Sequence, residues 1–398
     1  ILCWLIYTSS YIGKLGYSAN IVSIENFYGV THADAGLVST FFFFSYGAGQ
    51  IVNGIFCKRY PLKYTVTASL VVSAVCNFLM AVMSDFAFAK YIWLANGIAL
   101  STLWPSMVRF LAENIDRQYT AKAVVVMGTS VAAGTFLVYG LSSLFVKFLS
   151  FGMIFYTASV LLPVVSALWF FSCPNVRRSK SDATESREID VLSCEKKKLP
   201  KTLVFSLIVL AVLAVATNLL KDGLTTWSPS ILNEVYGFDD SLSILLTLCL
   251  PVFAIFGTAV AVALQKKIPD FVLLCSVIFA VATVFLGGIA VCLQTSSVVI
   301  LICFSAISCL MAGTNNVITS MVPLYWKSDV DSGLSAGVLN GCCYIGSALS
   351  SYVLGGIADN GGWNAVFVFL LVFGGICTIV GFVAYACVMP KKNGDSCK

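Results

Sequence analysis

Two lysines interrupt stretches that otherwise read as membrane-spanning helices. Lys14 stands in Tyr11-Ile-Gly-Lys14-Leu-Gly-Tyr17-Ser18 and Lys221 in Asn218-Leu-Leu-Lys221-Asp222-Gly-Leu-Thr225. Each is followed two residues on by a glycine and four residues on by a hydroxyl. An ammonium at the centre of a membrane helix costs about 2.5–3.5 kcal/mol even on lenient insertion scales, so it is rarely idle. A symmetric pair facing one cavity makes a binding site for an anion. Around the first lysine, Tyr7, Tyr11, Lys14 and Ser18 recur at spacings of four, three and four, so they share one helix face. Around the second, Asn218, Lys221, Thr225 and Ser228 do the same at three, four and three. Ammonium and tyrosine hydroxyl groups are suitable donors to phosphate or carboxylate oxygens. The competing reading is a lysine that snorkels to the interface, and Lys14 lies too near the middle of its span to do that easily. Asp222, one residue on, points about 100° around the helix from Lys221. It is therefore not a natural direct partner; a pairing with a neighbouring helix, a proton-carrying role and a structural ion pair all stay open. Asn340 and Tyr344, four apart, are further cavity candidates, as are Asn315, Asn316 and Trp104.

These side chains must be held by an all-α membrane scaffold. Hydrophobic residues make up 59% of the chain and charged residues 11%, with a mean hydropathy of +0.91. Soluble domains carry about 25% charged residues, so most of this chain is not made for water. Nearly charge-free runs such as 123–145, 152–171, 202–220, 271–291 and 366–388 match the roughly 20 residues needed to cross a bilayer as a helix. The short alternating segments of a transmembrane barrel are absent from the sequence. Twelve spans are expected, at 1–26, 34–56, 64–84, 88–112, 121–146, 150–172, 202–230, 241–264, 270–292, 297–325, 332–357 and 363–388. The hydrophilic stretch 173–201 reads as a flexible linker between two six-helix halves, 1–172 and 202–388, and 389–398 as a tail. Lys14 and Lys221 are 207 residues apart, one in the first helix of each half.

Basic residues set the orientation. With both termini in the cytoplasm, Lys58, Arg59, Lys63, Arg109, Arg117, Lys122, the linker cluster, Lys266, Lys267, Lys327, Lys391, Lys392 and Lys398 fall inside, and only Lys90 and Lys147 outside. The net charge of +5 then reports topology and not nucleic-acid binding. The chain opens at Ile1 with no basic start and no cleavage site, so the first segment is expected to be a span and not a secretory signal, with a short cytoplasmic leader expected ahead of it. Most of the fifteen cysteines lie irregularly in apolar runs, as packing residues. No Cys/His cluster suggests a metal, His32 is the single histidine, and no phosphate-binding glycine loop or serine–histidine pattern suggests an enzyme or a cofactor. The dense glycines of the fifth and eleventh spans suit close helix packing.

Two six-helix halves with a midplane site between them is the layout of the major facilitator superfamily. Within it, the chain resembles the organophosphate:phosphate antiporter family. Tyr11-Ile-Gly-Lys14-Leu-Gly-Tyr17-Ser18 is similar to that family's first-helix Tyr-x-x-Arg motif. Gly36 with Ser45-Tyr46-Gly47-Ala-Gly49-Gln50 and Gly54, and Trp104-Pro105, resemble its second and fourth helices. Lys221-Asp-Gly-Leu-Thr-Thr-Trp227-Ser228-Pro229 looks like its seventh-helix Arg-x-Gly-x-x-x-Trp-Ser-Pro. Gly341-Cys-Cys-Tyr344-Ile-Gly346 fits its eleventh helix, and Asp359-Asn-Gly-Gly362-Trp363 fits the turn after that helix. The resemblance implies exchange of a phosphorylated metabolite for inorganic phosphate. The departures are chemical. Two family arginines are lysines here, which lack the planar bidentate fork; an apolar residue near Val131 replaces a family histidine; and Lys58-Arg59 stands where an Asp-Arg gating pair is usual.

The expectation is therefore a monomeric secondary transporter in a plasma (inner) membrane, moving a small organic anion. Lys14 and Lys221 would grip it, and Tyr7, Tyr11, Asn218, Tyr344, Asn340, Asn316 and Trp104 would orient it. A proton-coupled carboxylate symporter using Asp222 or Glu25 is the alternative, and a membrane sensor without net transport the third reading.

Overall fold

The structure is a computed structural model that describes residues 1–56, 60–115, 117–173, 200–326 and 332–388. The expected linker core 174–199, the tail 389–398 and the Lys58-Arg59 pair lie outside the described residues. Among the described residues every regular element is a helix: α1 Leu2–Ala19, α2 Ile21–Tyr28, α3 His32–Phe56, α4 Leu62–Val82, α5 Ala89–Leu100, α6 Leu103–Asn114, α7 Arg117–Phe148, α8 Met153–Ser172, α9 Lys201–Tyr236, α10 Asp240–Thr247, α11 Cys249–Gln265, α12 Phe271–Cys292, α13 Ser297–Asn316, α14 Val322–Tyr325 and α15 Ser332–Val388. A short 3₁₀ turn, Phe86–Phe88, precedes α5, and a π-helical turn, Val317–Met321, joins α13 to α14.

Ten helical stretches among the described residues are long and apolar enough to cross a membrane. The last, Ser335–Cys387, has 53 residues. Straight, it would run on the order of 80 Å at about 1.5 Å per residue, far more than a bilayer core of about 30 Å. Gly362 (φ 69°, ψ 179°) breaks it into two arms, a conformation that excludes a side chain. Those two arms with the nine other stretches make eleven spans. The twelfth is α1 with α2, too polar to pass as an apolar stretch but buried along most of its length. The twelve expected spans are therefore present, as two six-helix halves.

Boundaries differ from expectation where local chemistry overrides hydropathy. The seventh span does not stop near Pro229; α9 continues to Tyr236 and ends at Gly237 in the left-handed region, whose N–H reaches the Asn233 carbonyl. The fourth span is broken at Ser101-Thr102, where α6 restarts with Pro105 at its third position, where no helical N–H is needed. The first is broken at Asn20 (φ −107°, ψ 19°).

The halves meet chiefly where α3 runs against α15. Gly36 faces the Ser351 carbonyl, and a Cβ at Gly355 would lie 2.6 Å from the His32 carbonyl oxygen. Thr40 Oγ1 donates to the Ala348 carbonyl at 2.7 Å. At the same end, the Ser143 and Ser241 hydroxyls bond across α7 and α10, and Ser23 donates to Asp240 at 2.6 Å. The end of the bundle that carries His32 is thus closed by contacts from three helix pairs, α3–α15, α7–α10 and α2–α10.

Candidate substrate site

The backbone beside Lys14 is fixed from two sides. Asn96 Nδ2 (2.8 Å) and Asn77 Nδ2 (3.3 Å) both donate to the Gly13 carbonyl, and Ser73 donates to Asn96 Oδ1 at 2.7 Å. A Cβ at Gly13 would lie 2.9 Å from Leu162 Cδ1 and 3.0 Å from Ser73 Oγ, so the glycine lets α1 lie close on α4 and α8 without moving those side chains. The lysine side chain then enters a nest of rings. Its Nζ is 4.2 Å from the Tyr46 centroid, 5.3 Å from Tyr11 and 5.6 Å from Tyr344. Lys14 has no carboxylate in ion-pair range among the described residues. Ring faces attract a cation by about 0.5–2 kcal/mol each, which positions the ammonium without neutralising it. Tyr344 meets Tyr46 edge-on at 4.8 Å, Tyr7 meets Tyr11 at 5.6 Å, and Trp104 extends the row to Tyr7 at 4.9 Å. Gly47 admits this, since a Cβ there would be 2.6 Å from Tyr344 Cβ.

Lys221 is held differently. Its Nζ lies 3.3 Å from Asp222 Oδ1, with both side chains partly exposed. Of the readings the sequence left open for Asp222, the structure shows a direct ion pair, although adjacency made it no natural partner: the long lysine stem folds back across the roughly 100° between them. Asp222 also accepts from Ser347 Oγ on α15. Asn218 Nδ2 donates to Ser347 Oγ (3.2 Å), and Asn218 Oδ1 accepts from Asn315 Nδ2 (2.8 Å). The Thr225 and Ser228 hydroxyls turn back to the carbonyls of Lys221 and Leu224, so neither is free to meet a ligand.

The two lysines converge on one turn of α15. Tyr344 touches the Lys14 side and Ser347, three residues on and so on the same face, holds the Lys221–Asp222 side. Of the residues singled out in the sequence, Lys14, Lys221, Tyr7, Tyr11, Asn218, Tyr344, Asp222 and Trp104 join this continuous set. Asn340 is half-buried one turn earlier on α15 and makes no side-chain hydrogen bond among the described residues. Asn315, not Asn316, enters the network. Glu25 lies at the His32 end, against His32 and apart from the lysines. The sequence alone did not single out Ser347 or Tyr139, and it offered Tyr46 only as part of the second-helix motif and not as a site residue. Pro229 has no N–H for the Thr225 carbonyl four residues back, and that carbonyl instead faces Tyr139 Oη of the other half at 3.4 Å. Two open cavities, about 510 and 760 Å³, flank the bundle beside Gly356 and between α7 and α10. Neither is lined by either lysine, so charge and polarity rather than cavity size mark the site.

Similarity to known proteins agrees with this architecture. Over 84% of its length the chain is 22% identical to sugar phosphate exchanger 3 of Gallus gallus, covering 76% of that protein. Over 26% of its length it is 29% identical to the membrane sensor protein UhpC of Salmonella typhimurium, covering 21% of it. The fold superposes on a bacterial homologue of the human lysosomal transporter Spinster, in an inward-facing and occupied conformation, with a TM-score of 0.78 at 15% identity; 97% of this chain and 96% of that one are covered. The sequence profile of the Major Facilitator Superfamily matches residues 3–327. The twelve-helix bundle with a polar centre is thus a membrane transporter scaffold and not an enzyme, and the chain belongs to the major facilitator superfamily.

Proposed function

We propose that this protein is a secondary transporter that carries a small phosphorylated anion by alternating access, in exchange for inorganic phosphate. One observation carries the reading. Lys14, a full positive charge held by ring faces and lacking a carboxylate among the described residues, converges with Lys221 on one turn of α15. A cationic centre built from both halves can draw them together only around an anion. The relatives named sugar phosphate exchanger 3 favour a phosphate ester as that anion. Tyr7, Tyr11, Tyr344 and Asn218 would orient it, and Asp222 would be displaced from Lys221 as it binds.

The distribution of basic residues favours cytoplasmic termini and a cytoplasmic 173–201 linker, and the membrane assigned to the protein in this reading is a plasma (inner) membrane. In that orientation the closed His32 end faces outward. A monomer suffices. A second reading, proton-coupled symport, is favoured by the Lys221–Asp222 pair, because protonating Asp222 would free the lysine for the anion.

Counterflow in proteoliposomes separates them. Labelled phosphate should enter only vesicles preloaded with phosphate, and organophosphates should compete. Entry into empty vesicles that collapses with a protonophore would replace exchange by proton coupling. Binding without any flux would assign a sensor.

A further inference from the structure

At the closed end of the bundle one imidazole joins the two halves. His32 opens α3, and its Nδ1 lies 3.0 Å from Glu25 Oε1 on α2 of the same half. Its Nε2 lies 3.2 Å from Glu234 Oε1 on α9 of the other half. Glu25 is buried, and its second oxygen is 3.5 Å from Ser230 Oγ. The ring is wedged against Trp227 (5.5 Å) and Trp363 (5.2 Å), and Trp363 Nε1 donates to Glu234 Oε2 at 2.8 Å. The backbone is clamped too. Asp359 of α15 accepts from the N–H groups of His32 (3.0 Å) and Ala33 (2.8 Å), an anion at the helix N-terminus.

Counting hydrogens gives this cluster a stoichiometry. A neutral imidazole has one N–H and one lone pair. Here both ring nitrogens face carboxylate oxygens at hydrogen-bond distance, which needs two hydrogens for two contacts. The closed arrangement therefore holds one proton more than a neutral imidazole and two carboxylates, whether as imidazolium or as a carboxylic acid. Without that proton a ring lone pair opposes a carboxylate lone pair, at either the Glu25 or the Glu234 contact. The same three groups lie close enough to gather a cation. Opposite ring nitrogens paired with separate carboxylates, however, satisfy hydrogens and not one common centre. The charged groups on the elements packed around the cluster are Asp34 on α3, Asp359 on α15 and Asp240 on α10, with the phenols Tyr17 and Tyr28 nearby, and Asp85, Lys90, Lys147 and Asp239 lie at the same end of the bundle. None of these carboxylates is bridged to lysine or arginine among the described residues, and all favour keeping the extra proton.

We infer that Glu25, His32 and Glu234 form a proton-binding site shared by the two halves, which takes up one proton when the His32 end closes and releases it when that end opens. The inference rests on the alternating-access reading and adds to it a second ligand at a second site. One proton linked to closure makes the closed-to-open ratio fall by up to about tenfold per pH unit over the linked range.

The full chain in lipid nanodiscs, with a fluorophore pair at the exposed loop positions Ser84 and Gln294, reads the separation of the halves at this end. Open molecules should accumulate as pH rises between about pH 5 and pH 9. Glu234→Gln, whose amide can donate to a neutral ring nitrogen and so removes the need for the extra proton, should flatten that transition, and so should His32→Gln. If His32→Gln does not fold, Glu234→Gln decides. A wild-type protein that opens on adding inorganic phosphate but at the same ratio across that pH range overturns the proton site and leaves alternating access standing. An unchanged pH profile in Glu234→Gln overturns it as well. No change in separation with either phosphate or pH contradicts alternating access itself, and the inference falls with it.

Discussion

Lys14 and Lys221 occupy matching places in the two halves but are in different electrostatic states. Lys14 is caged by neutral rings, whereas Lys221 is already paired with Asp222. In the proposed carrier, an incoming anion would compete with that carboxylate. Asp222→Asn should therefore tighten phosphate binding, by about tenfold or ~1.4 kcal/mol, in titration calorimetry. Unchanged or weaker binding would remove Asp222 as an internal competitor. The ring cage makes a second prediction: Tyr46→Phe, which keeps the ring face, should bind phosphate within about twofold of wild type. Tyr46→Leu should lose about fivefold, as expected for roughly 1 kcal/mol of cation–π contact. The lysines were legible in the sequence because a charge stands out in an apolar run. The role of Tyr46 was not, because it follows Phe41–Phe44 closely and, beyond its place in the second-helix motif, reads as one more core aromatic. Glu234 was not, because its partners Glu25 and His32 are about two hundred residues away in the chain.

At the scale of helices, the site depends on deliberate breaks in regularity. Pro229 leaves the Thr225 carbonyl without an intrahelical donor, and Tyr139 from the other half faces that carbonyl. Pro229→Ala supplies the missing N–H, which competes with the phenol for the same oxygen. Transport should slow several-fold while the melting temperature holds or rises, since an alanine is a better helix former than a proline by about 3 kcal/mol in a helix interior. A slower rate with a lower melting temperature would instead mark Pro229 as a packing residue. The π-helical turn at Val317–Met321 comes directly after Asn315-Asn316, and the Asn315 side chain feeds the Lys221 network. Gly47 brings α3 against Tyr344, and Gly47→Val should separate these groups and reduce phosphate affinity by at least about tenfold. Binding near wild-type strength by the folded Gly47→Val protein would show that the two helices can part without cost. Hydropathy located all twelve spans but not these breaks. A proline or an asparagine inside an apolar run reads the same whether it kinks a span or ends it.

Across the whole molecule, both lysines and the His32 cluster sit where the two halves meet, so the binding and gating proposed for them would depend on the relative position of the halves. The orientation proposed from the basic residues has its own check. A protease acting on 173–201 should cut the chain in inside-out vesicles and spare it in right-side-out ones; the reverse pattern would turn the protein over. The central claim is that the two lysines act on one anion. Its most direct test is a double-mutant cycle on phosphate affinity, measured with Lys14→Gln, Lys221→Gln and the pair in purified, monodisperse protein. Each single variant should weaken binding by at least about tenfold, and the double should lose less than the sum of the two, as expected of residues that share a ligand. Folded single variants that bind phosphate within about twofold of wild type would contradict the claim and move the site elsewhere in the bundle.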